Sequence, residues 1–331
     1  MQSKILELLR GVGDGFISGE DIAGRLGVSR TAVWKHINEL KEAGYDIVSQ
    51  PHRGYALREA PDILLPNELK PLLNTVTIGS DIIHYDFIPS SNNEAKKLAF
   101  AGAKDGTVVV AEEQGAGKGR LSRGWFSPHG KGIWFSVIIR PPFLPQDAPK
   151  CTLMAAVAIV RAARKYGLDV GIKWPNDILY EGKKLVGILT EMNAEMERIN
   201  YIVIGTGINV NLWPEDFPED VRDIATSLAM AKGEAIPRKE LFAHILNAFD
   251  DLYQAVLRDG FKPVLDEWRK YTITLGRLVN VIGVNETFYG TAVDIDEDGA
   301  LLIETDEGIK KVLAGDVSIR PRNADGSSAK Y

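Results

Sequence analysis

The sequence predicts an α+β, multidomain protein: an N-terminal winged helix-turn-helix, a central mixed-sheet domain and a small C-terminal β-barrel. Three observations predict it. Two short helical patterns flank a glycine turn and run into a hairpin pattern before residue 60. From Ile82 onward, strand and helix signals alternate. Beyond Gly276 only short strand-like runs remain, separated by acidic turns. A length of 331 residues suits two or three domains.

Composition sets the outer bounds. With 45% hydrophobic and 25% charged residues the chain has an ordinary globular balance. A net charge of −6 argues against a generally basic nucleic-acid coat but leaves room for a local patch. The single Cys151 excludes a disulfide framework within the chain, and with five scattered His it offers no zinc spacing. No secretory signal and no 18-residue apolar span are evident, which points to the cytoplasm.

Residues 3–10 have helical apolar spacing and stop at Gly11. Ser18 opens a second helix that stops at Gly27, and Ser29 caps a third running to Gly44. The turn and the polar start of the third helix, Ser29, Arg30, Thr31, Lys35 and His36, match a helix-turn-helix at about 19–38. Tyr45–Ser49 and Gly54–Arg58 add the hairpin wing. The first 60 residues carry eight basic and eight acidic side chains, so a protein-binding module is the competing reading. DNA binding is favoured because the basic residues gather after Ser29 while several acids precede it. Ala60–Pro66 reads as a linker.

Further on, Ile83–Phe87 and Thr107–Ala111 read as strands around a helix that Ser91 or Asn92 caps. The second strand delivers the chain into Gln114–Trp125, Gln-Gly-Ala-Gly-Lys-Gly-Arg-Leu-Ser-Arg-Gly-Trp. From Gln114 to Gln146 there are five Lys/Arg and no Asp or Glu. Glycine permits close approach and unusual φ, so this stretch can cradle an anion; a solvated surface turn is the alternative. Lys118 is followed by Gly119 rather than Ser or Thr, so the stretch is no P-loop, and Arg120 stands where a dinucleotide fingerprint needs its third glycine.

Gly132–Ile139 reads as a strand and 151–166 as an apolar helix. Lys173-Trp-Pro-Asn-Asp177 places Asn176 and Asp177 at a strand end, where an Asx turn is the plainer interpretation. Strands are expected at Gly182–Glu191 and Tyr201–Asn209, and Trp213 lies in a Pro/Asp-rich loop as a candidate lid. Helices are expected at 226–232, 238–258 and 261–270, then four short barrel strands beginning at Val279, Phe288, Ala300 and Lys311.

In this order, Ser90-Ser-Asn92, Gln114–Trp125, Lys173–Asp177, Lys184-Leu-Val-Gly-Ile188 and Gly205-Thr-Gly-Ile-Asn209 resemble the bacterial bifunctional biotin–protein ligase and biotin-operon repressor family. The likeness covers nearly the whole chain. It implies a winged helix at 1–60, a linker at 61–66, and a class II synthetase-like ligase domain at 67–274. An SH3-like domain at 275–321 and a flexible tail at 322–331 complete it. It also implies an ATP- and Mg²⁺-dependent ligase that makes biotinyl-5′-AMP and passes biotin to a lysine of a biotin carboxyl carrier protein. As a repressor it would bind operator DNA, as a dimer when it holds the adenylate. By the same resemblance, Ser90, Ser91, Asn92, Gln114, Lys118, Gly119, Arg120 and Lys184 meet biotin. Arg120, Arg123, Trp125, Lys173, Asn176, Asp177, Asn209 and Trp213 meet ATP or the adenylate. Arg120, Lys184 and Asp177 are the catalytic candidates, Asp177 also for Mg²⁺. The family's loop commonly reads Gly-Arg-Gly-Arg-x-Gly-Arg; here Lys118 replaces the first arginine and Ser122 the later glycine. Lysine keeps the charge and loses the fork. A ligand-sensing transcription factor with a degenerate ligase domain and a ligase for lipoate or another acyl group are the alternatives.

Overall fold

The computed structural model describes residues 1–283, 286–315, 317–322 and 327. The chain divides into two compact units, Met1–Asn67 and Glu68–Tyr331.

In the first unit, α1 (Gln2–Gly11), α2 (Gly19–Leu26) and α3 (Arg30–Glu42) precede the antiparallel hairpin β1 (Asp46–Gln50) and β2 (Gly54–Glu59). The caps follow the sequence. Ser18 accepts a hydrogen bond from the Asp21 N–H, Gly27 closes α2 in the left-handed region at φ 65°, and Ser29 accepts from the Ala32 N–H. Ile5, Leu6, Leu9, Ile22, Val33, Ile37 and Leu40 recur at helical spacing and form one buried core, closed by Tyr45 and Ile47.

The second unit is built on an eight-stranded mixed sheet. Its strands are β3 (Ile82–Ile88), β4 (Thr107–Lys118), β5 (Gly124–Ser127), β6 (Gly132–Ile139), β7 (Gly171–Lys173), β8 (Asp177–Tyr180), β9 (Lys183–Glu195) and β10 (Arg198–Asn209). Their order is β3-β4-β6-β10-β9-β8-β7, with β5 pairing β4, and only β3 and β4 run parallel. Every residue of β6 is buried, so both faces of the sheet are covered there. Helix Ser91–Phe100 covers one side through Ala95 and Ala99, against Val109, Ile138 and Val203. Helix Ala148–Arg164 packs on β9 and β10 and against helices Arg238–Asp259 and Lys262–Tyr271.

Four expectations are corrected. Helix Ser91–Phe100 is preceded by Ser90 at its N-cap, not by Ser91 or Asn92, and the Ser90 side chain makes no cap bond. The Ser91 and Asn92 side chains are turned toward Ser136 on β6 instead. The glycine stretch is no open loop, because β4 extends to Lys118 and pairs with β5. Its glycines serve close packing: a Cβ on Gly115 would come within 2.7 Å of the Phe87 ring. The left-handed backbone falls on Leu121 and Ser122, φ 54° and 59°, rather than on Gly115, Gly117 or Gly119.

The last correction concerns the C-terminal sheet. Its strands are β11 (Leu278–Ile282), β12 (Thr287–Ile295), β13 (Leu301–Thr305), β14 (Gly308–Val312) and β15 (Ser318–Pro321), ordered β14-β13-β12-β11-β15. The fifth strand, β15, was not expected; it is short and pairs only with β11. Arg322, placed in the expected tail, bonds back to Leu278 and Asn280. Beyond Arg322, only Ser327 of that tail lies within the described residues.

Candidate active site

A cavity of about 780 Å³ opens on the large sheet, and Ser90, Ser91, Asn92, Gln114, Lys118, Gly119, Arg120, Arg123, Trp125, Lys173, Asn176, Asp177, Lys184 and Asn209 all line it. Of the ligand residues expected from sequence, only Trp213 is not among its walls. The Trp213 N–H donates to Asp216 at the start of a short 3₁₀ turn, and Phe217 and Val221 from the same segment reach the cavity in its place.

One end is lined by neutral side chains held in a hydrogen-bonded network. The Ser91 N–H donates to Gln114 Oε1 at 2.8 Å, and Gln114 Nε2 donates to Ser127 Oγ at 2.9 Å. Asn92 Nδ2 donates to Leu189 O at 3.2 Å and to Glu191 Oε2 at 2.9 Å. Ser136 Oγ donates to Asn92 Oδ1 at 2.6 Å. This end exists because Gly205 on β10 has no side chain: a Cβ there would overlap the Asn92 amide.

The other end is cationic. Lys184 Nζ lies 2.8 Å from Asp177 Oδ1 and 5.3 Å from the Trp125 ring centroid. Burial pushes the pKa of Lys173 down; Asp177 opposes this, while Lys184, Arg320 and Arg123 add to the lowering. Trp125 lies against two further glycines, since a Cβ on Gly187 would come within 2.7 Å of its ring and one on Gly207 would overlap it. Its Nε1–H is buried with no hydrogen-bond partner, an orphaned donor. Lys184 is fixed from behind, its N–H donating to Ile224 O at 2.8 Å and its carbonyl accepting from the Thr226 N–H at 2.9 Å. Asn209 is equally held, Nδ2 donating to Thr226 O at 2.9 Å.

Arg120 joins the two ends. Nη1 donates to Asn176 Oδ1 at 2.8 Å, and Nη2 donates to Val317 O at 3.1 Å and to Gly315 O. The turn carrying it is closed by the Gly119 N–H donating to Arg123 O at 2.7 Å. Lys118, by contrast, is exposed and donates to Asn93 Oδ1 at 2.9 Å. Arg320 of β15, Phe217 and Thr206 also line the walls and were missed from sequence. Thr206 lies inside the Gly205–Asn209 motif and could have been chosen; nothing local in the sequence marks Arg320, which only the fold brings to the cavity.

Two carboxylates beyond Asp177, on Asp220 and Asp223, also line the cavity, but no group of three His, Cys, Asp or Glu that could hold a metal occurs among the described residues. Asp177 suits Mg²⁺, which is commonly held by one or two carboxylates plus phosphate oxygens.

In the first unit, Ser29, Arg30, Thr31 and Lys35 are exposed on α3. His36 is turned aside: its Nδ1 lies 2.8 Å from Glu39 Oε2, and this hydrogen bond holds the Glu39 carboxyl below its usual range. Trp34, missed from sequence, is 58% exposed on the same helix.

Comparison with known proteins agrees with this arrangement. Residues 85–209 match the biotin/lipoate A/B protein ligase family, residues 1–56 an HTH domain, and residues 274–320 the biotin protein ligase C-terminal domain. The chain is similar to the bifunctional ligase/repressor BirA of Bacillus subtilis, 45% identical over 96% of this chain and 98% of that protein. The BirA of Escherichia coli is 32% identical over 92% of this chain and 93% of its own length. A solved biotin protein ligase from Aquifex aeolicus, in complex with biotin and ATP, superposes with a TM-score of 0.64 at 28% identity, covering 73% of this chain and 99% of that one.

Proposed function

This chain belongs to the family of bifunctional biotin–protein ligases and repressors, and from that premise we propose how its residues divide the work. The protein is an ATP-dependent biotin–protein ligase and a DNA-binding repressor. The biotin carboxylate attacks the α-phosphate of ATP to give biotinyl-5′-adenylate and pyrophosphate. A lysine amine of the biotin carboxyl carrier protein then displaces AMP and forms an amide.

Two anions must meet for the first step, and the two-ended cavity is the observation that carries the reading. Ser90, Ser91, Asn92 and Gln114 take the uncharged ring system of biotin, whose polar groups need paired partners once buried. Arg120, at the junction, draws the carboxylate toward the α-phosphate. Lys173, Arg123 and Lys184 balance the phosphates, and the Trp125 platform receives the adenine. A donor aimed at charge that builds in the transition state is worth about 3–4 kcal/mol, so Lys184 and Arg120 carry the catalytic load. Asn176 and Asp177 keep those two cations in place, through the Arg120 and Lys184 contacts respectively. Mg²⁺ bound beside Asp177 would supply further neutralisation of the phosphates. Asn209 braces the segment that ends at Thr226. Lys118 and Gly119 form the rim, with Lys118 acting as a charge rather than a fork.

The winged unit presents Arg30, Thr31 and Lys35 to the operator, with Ser29 at the helix start. A two-fold operator would require a dimer, which the bound adenylate would promote. The ligase domain runs 67–274 and the C-terminal domain 275–321. No helix among the described residues is long and apolar enough to cross a membrane, and the protein acts in the cytoplasm. Incubation with biotin, Mg·ATP and a biotin carboxyl carrier domain is expected to yield the mass of a biotinylated lysine. Absence of both that product and biotinyl-5′-AMP would refute the ligase reading.

A further inference from the structure

Helix α3 is anchored in the first unit by Val33, Ile37 and Leu40, all buried. Arg30, Thr31, Trp34 and Lys35 are exposed on it. At about 100° per residue, these four fan across about 140° of the helix, with Trp34 between Arg30 and Thr31. Trp34 is 58% exposed. Single exposed apolar side chains are common and call for no explanation. This one is an indole set among two cations and a hydroxyl, on the helix that a helix-turn-helix lays in a major groove.

The charge around the indole suits an anionic partner. Glu39, one turn further along α3, is engaged with His36 at 2.8 Å and stands 3.9 Å from Lys35 Nζ. The Lys35 side chain is still 73% exposed, so this loose contact leaves its ammonium open to solvent. Arg30 and Lys35 lie at the two margins of the arc, with Trp34 and Thr31 between them. Cations at the margins can take phosphates on either side of a groove, and the side chains between them face the base edges.

We infer that Trp34 is a specificity residue of the repressor unit, whose indole reads the C5-methyl group of a thymine between phosphate contacts made by Arg30 and Lys35. The inference rests on reading the winged unit as the part that binds operator DNA. The chemistry of the side chain chooses the base. An indole carries one N–H donor and no acceptor, so the amino groups that cytosine and adenine show in the major groove find no partner on it. Guanine offers acceptors at N7 and O6 but nothing apolar for the ring face. Thymine alone sets a methyl group beside an acceptor, O4, and so suits both the ring face and the N–H.

The test uses the full-length protein with biotin and Mg·ATP, and a duplex that it enriches from a random-sequence pool. Each thymine of that duplex is replaced in turn by deoxyuridine, which removes the methyl group and nothing else. For the wild type, one such replacement in each half-site is expected to weaken binding roughly fourfold, the worth of one buried methyl group. Trp34→Ala and Trp34→Gln are each expected to bind the parent duplex more weakly and to lose the deoxyuridine penalty at that thymine. Neither removes a charge, so both are expected to keep the wild-type dependence of affinity on salt. Trp34→Phe retains an apolar ring and is expected to retain the penalty. Deoxyuridine penalties that are the same in wild type and both of the first two variants at every position, or absent throughout, would overturn the inference. A wild-type protein that enriches no duplex would instead overturn the DNA-binding reading beneath it.

Discussion

At Ser91 and Asn92, short neutral side chains are locked by partners on β4, β6 and β9; at the other end Lys184 pairs with Asp177, and the charges of Lys184, Arg320 and Arg123 bear on Lys173. The first end is finished before any ligand arrives. The second gathers cations, and burial first, then Lys184, Arg320 and Arg123, hold the pKa of Lys173 below its usual value. The difference teaches how one cavity can both recognise and activate: fixed hydrogen bonds suit the ring, and clustered cations suit phosphate. Both ends need glycine underneath, Gly205 for Asn92 and Gly187 with Gly207 for Trp125.

The largest expected effect comes from the charged end. Lys184→Ala is expected to slow adenylate formation by about 10²–10³-fold in single-turnover pyrophosphate release, as for loss of one transition-state donor. A loss below about tenfold would mean that the charge is not focused there.

A pair of glycine variants separates the ends more sharply. Gly205→Ala forces a Cβ into the Asn92 amide and is expected to raise KM for biotin by roughly 5- to 100-fold, from about 1–3 kcal/mol of overpacking. Gly207→Ala displaces Trp125 instead, and its effect is expected on KM for ATP. If both variants shift both constants equally, the division into ends fails.

pH probes the charged end more gently. Lys173 has its pKa below 10.5, so it loses its proton at a lower pH than a free lysine. Bound triphosphate favours the charged form, and KM for ATP is therefore expected to rise as pH climbs through that lowered value. Lys173→Arg is expected to flatten the rise, which a KM–pH profile would read.

The smallest effect lies outside the cavity. Lys35→Ala on α3 is expected to reduce the slope of log affinity for DNA against log salt by about 1 while leaving adenylate formation alone. An unchanged slope would move Lys35 off the DNA.

Much of this was legible in the sequence where chemistry is local. Ser18 and Ser29 announced their helices, and five short motifs announced the cavity, because cap and motif residues act within a few positions of themselves. Arg320 and Glu191 were invisible for the opposite reason: each reaches its partners only after distant strands are placed. That the glycine stretch is largely strand was not legible, because the pairing of Gly117 with Trp125 leaves no trace in composition. Trp213 was read as a lid from its place in a Pro/Asp-rich loop, whereas the walls of the cavity use Phe217 and Val221, a few residues further along.

The central claim is that the cavity brings a biotin carboxylate onto the α-phosphorus of ATP, and oxygen tracing tests it most directly. With biotin labelled by ¹⁸O in both carboxylate oxygens, Mg·ATP and a carrier domain, the AMP released after transfer is expected to carry one ¹⁸O atom. The biotinyl amide is expected to keep the other. AMP free of label beside a biotinylated lysine would contradict attack of the carboxylate on the α-phosphorus.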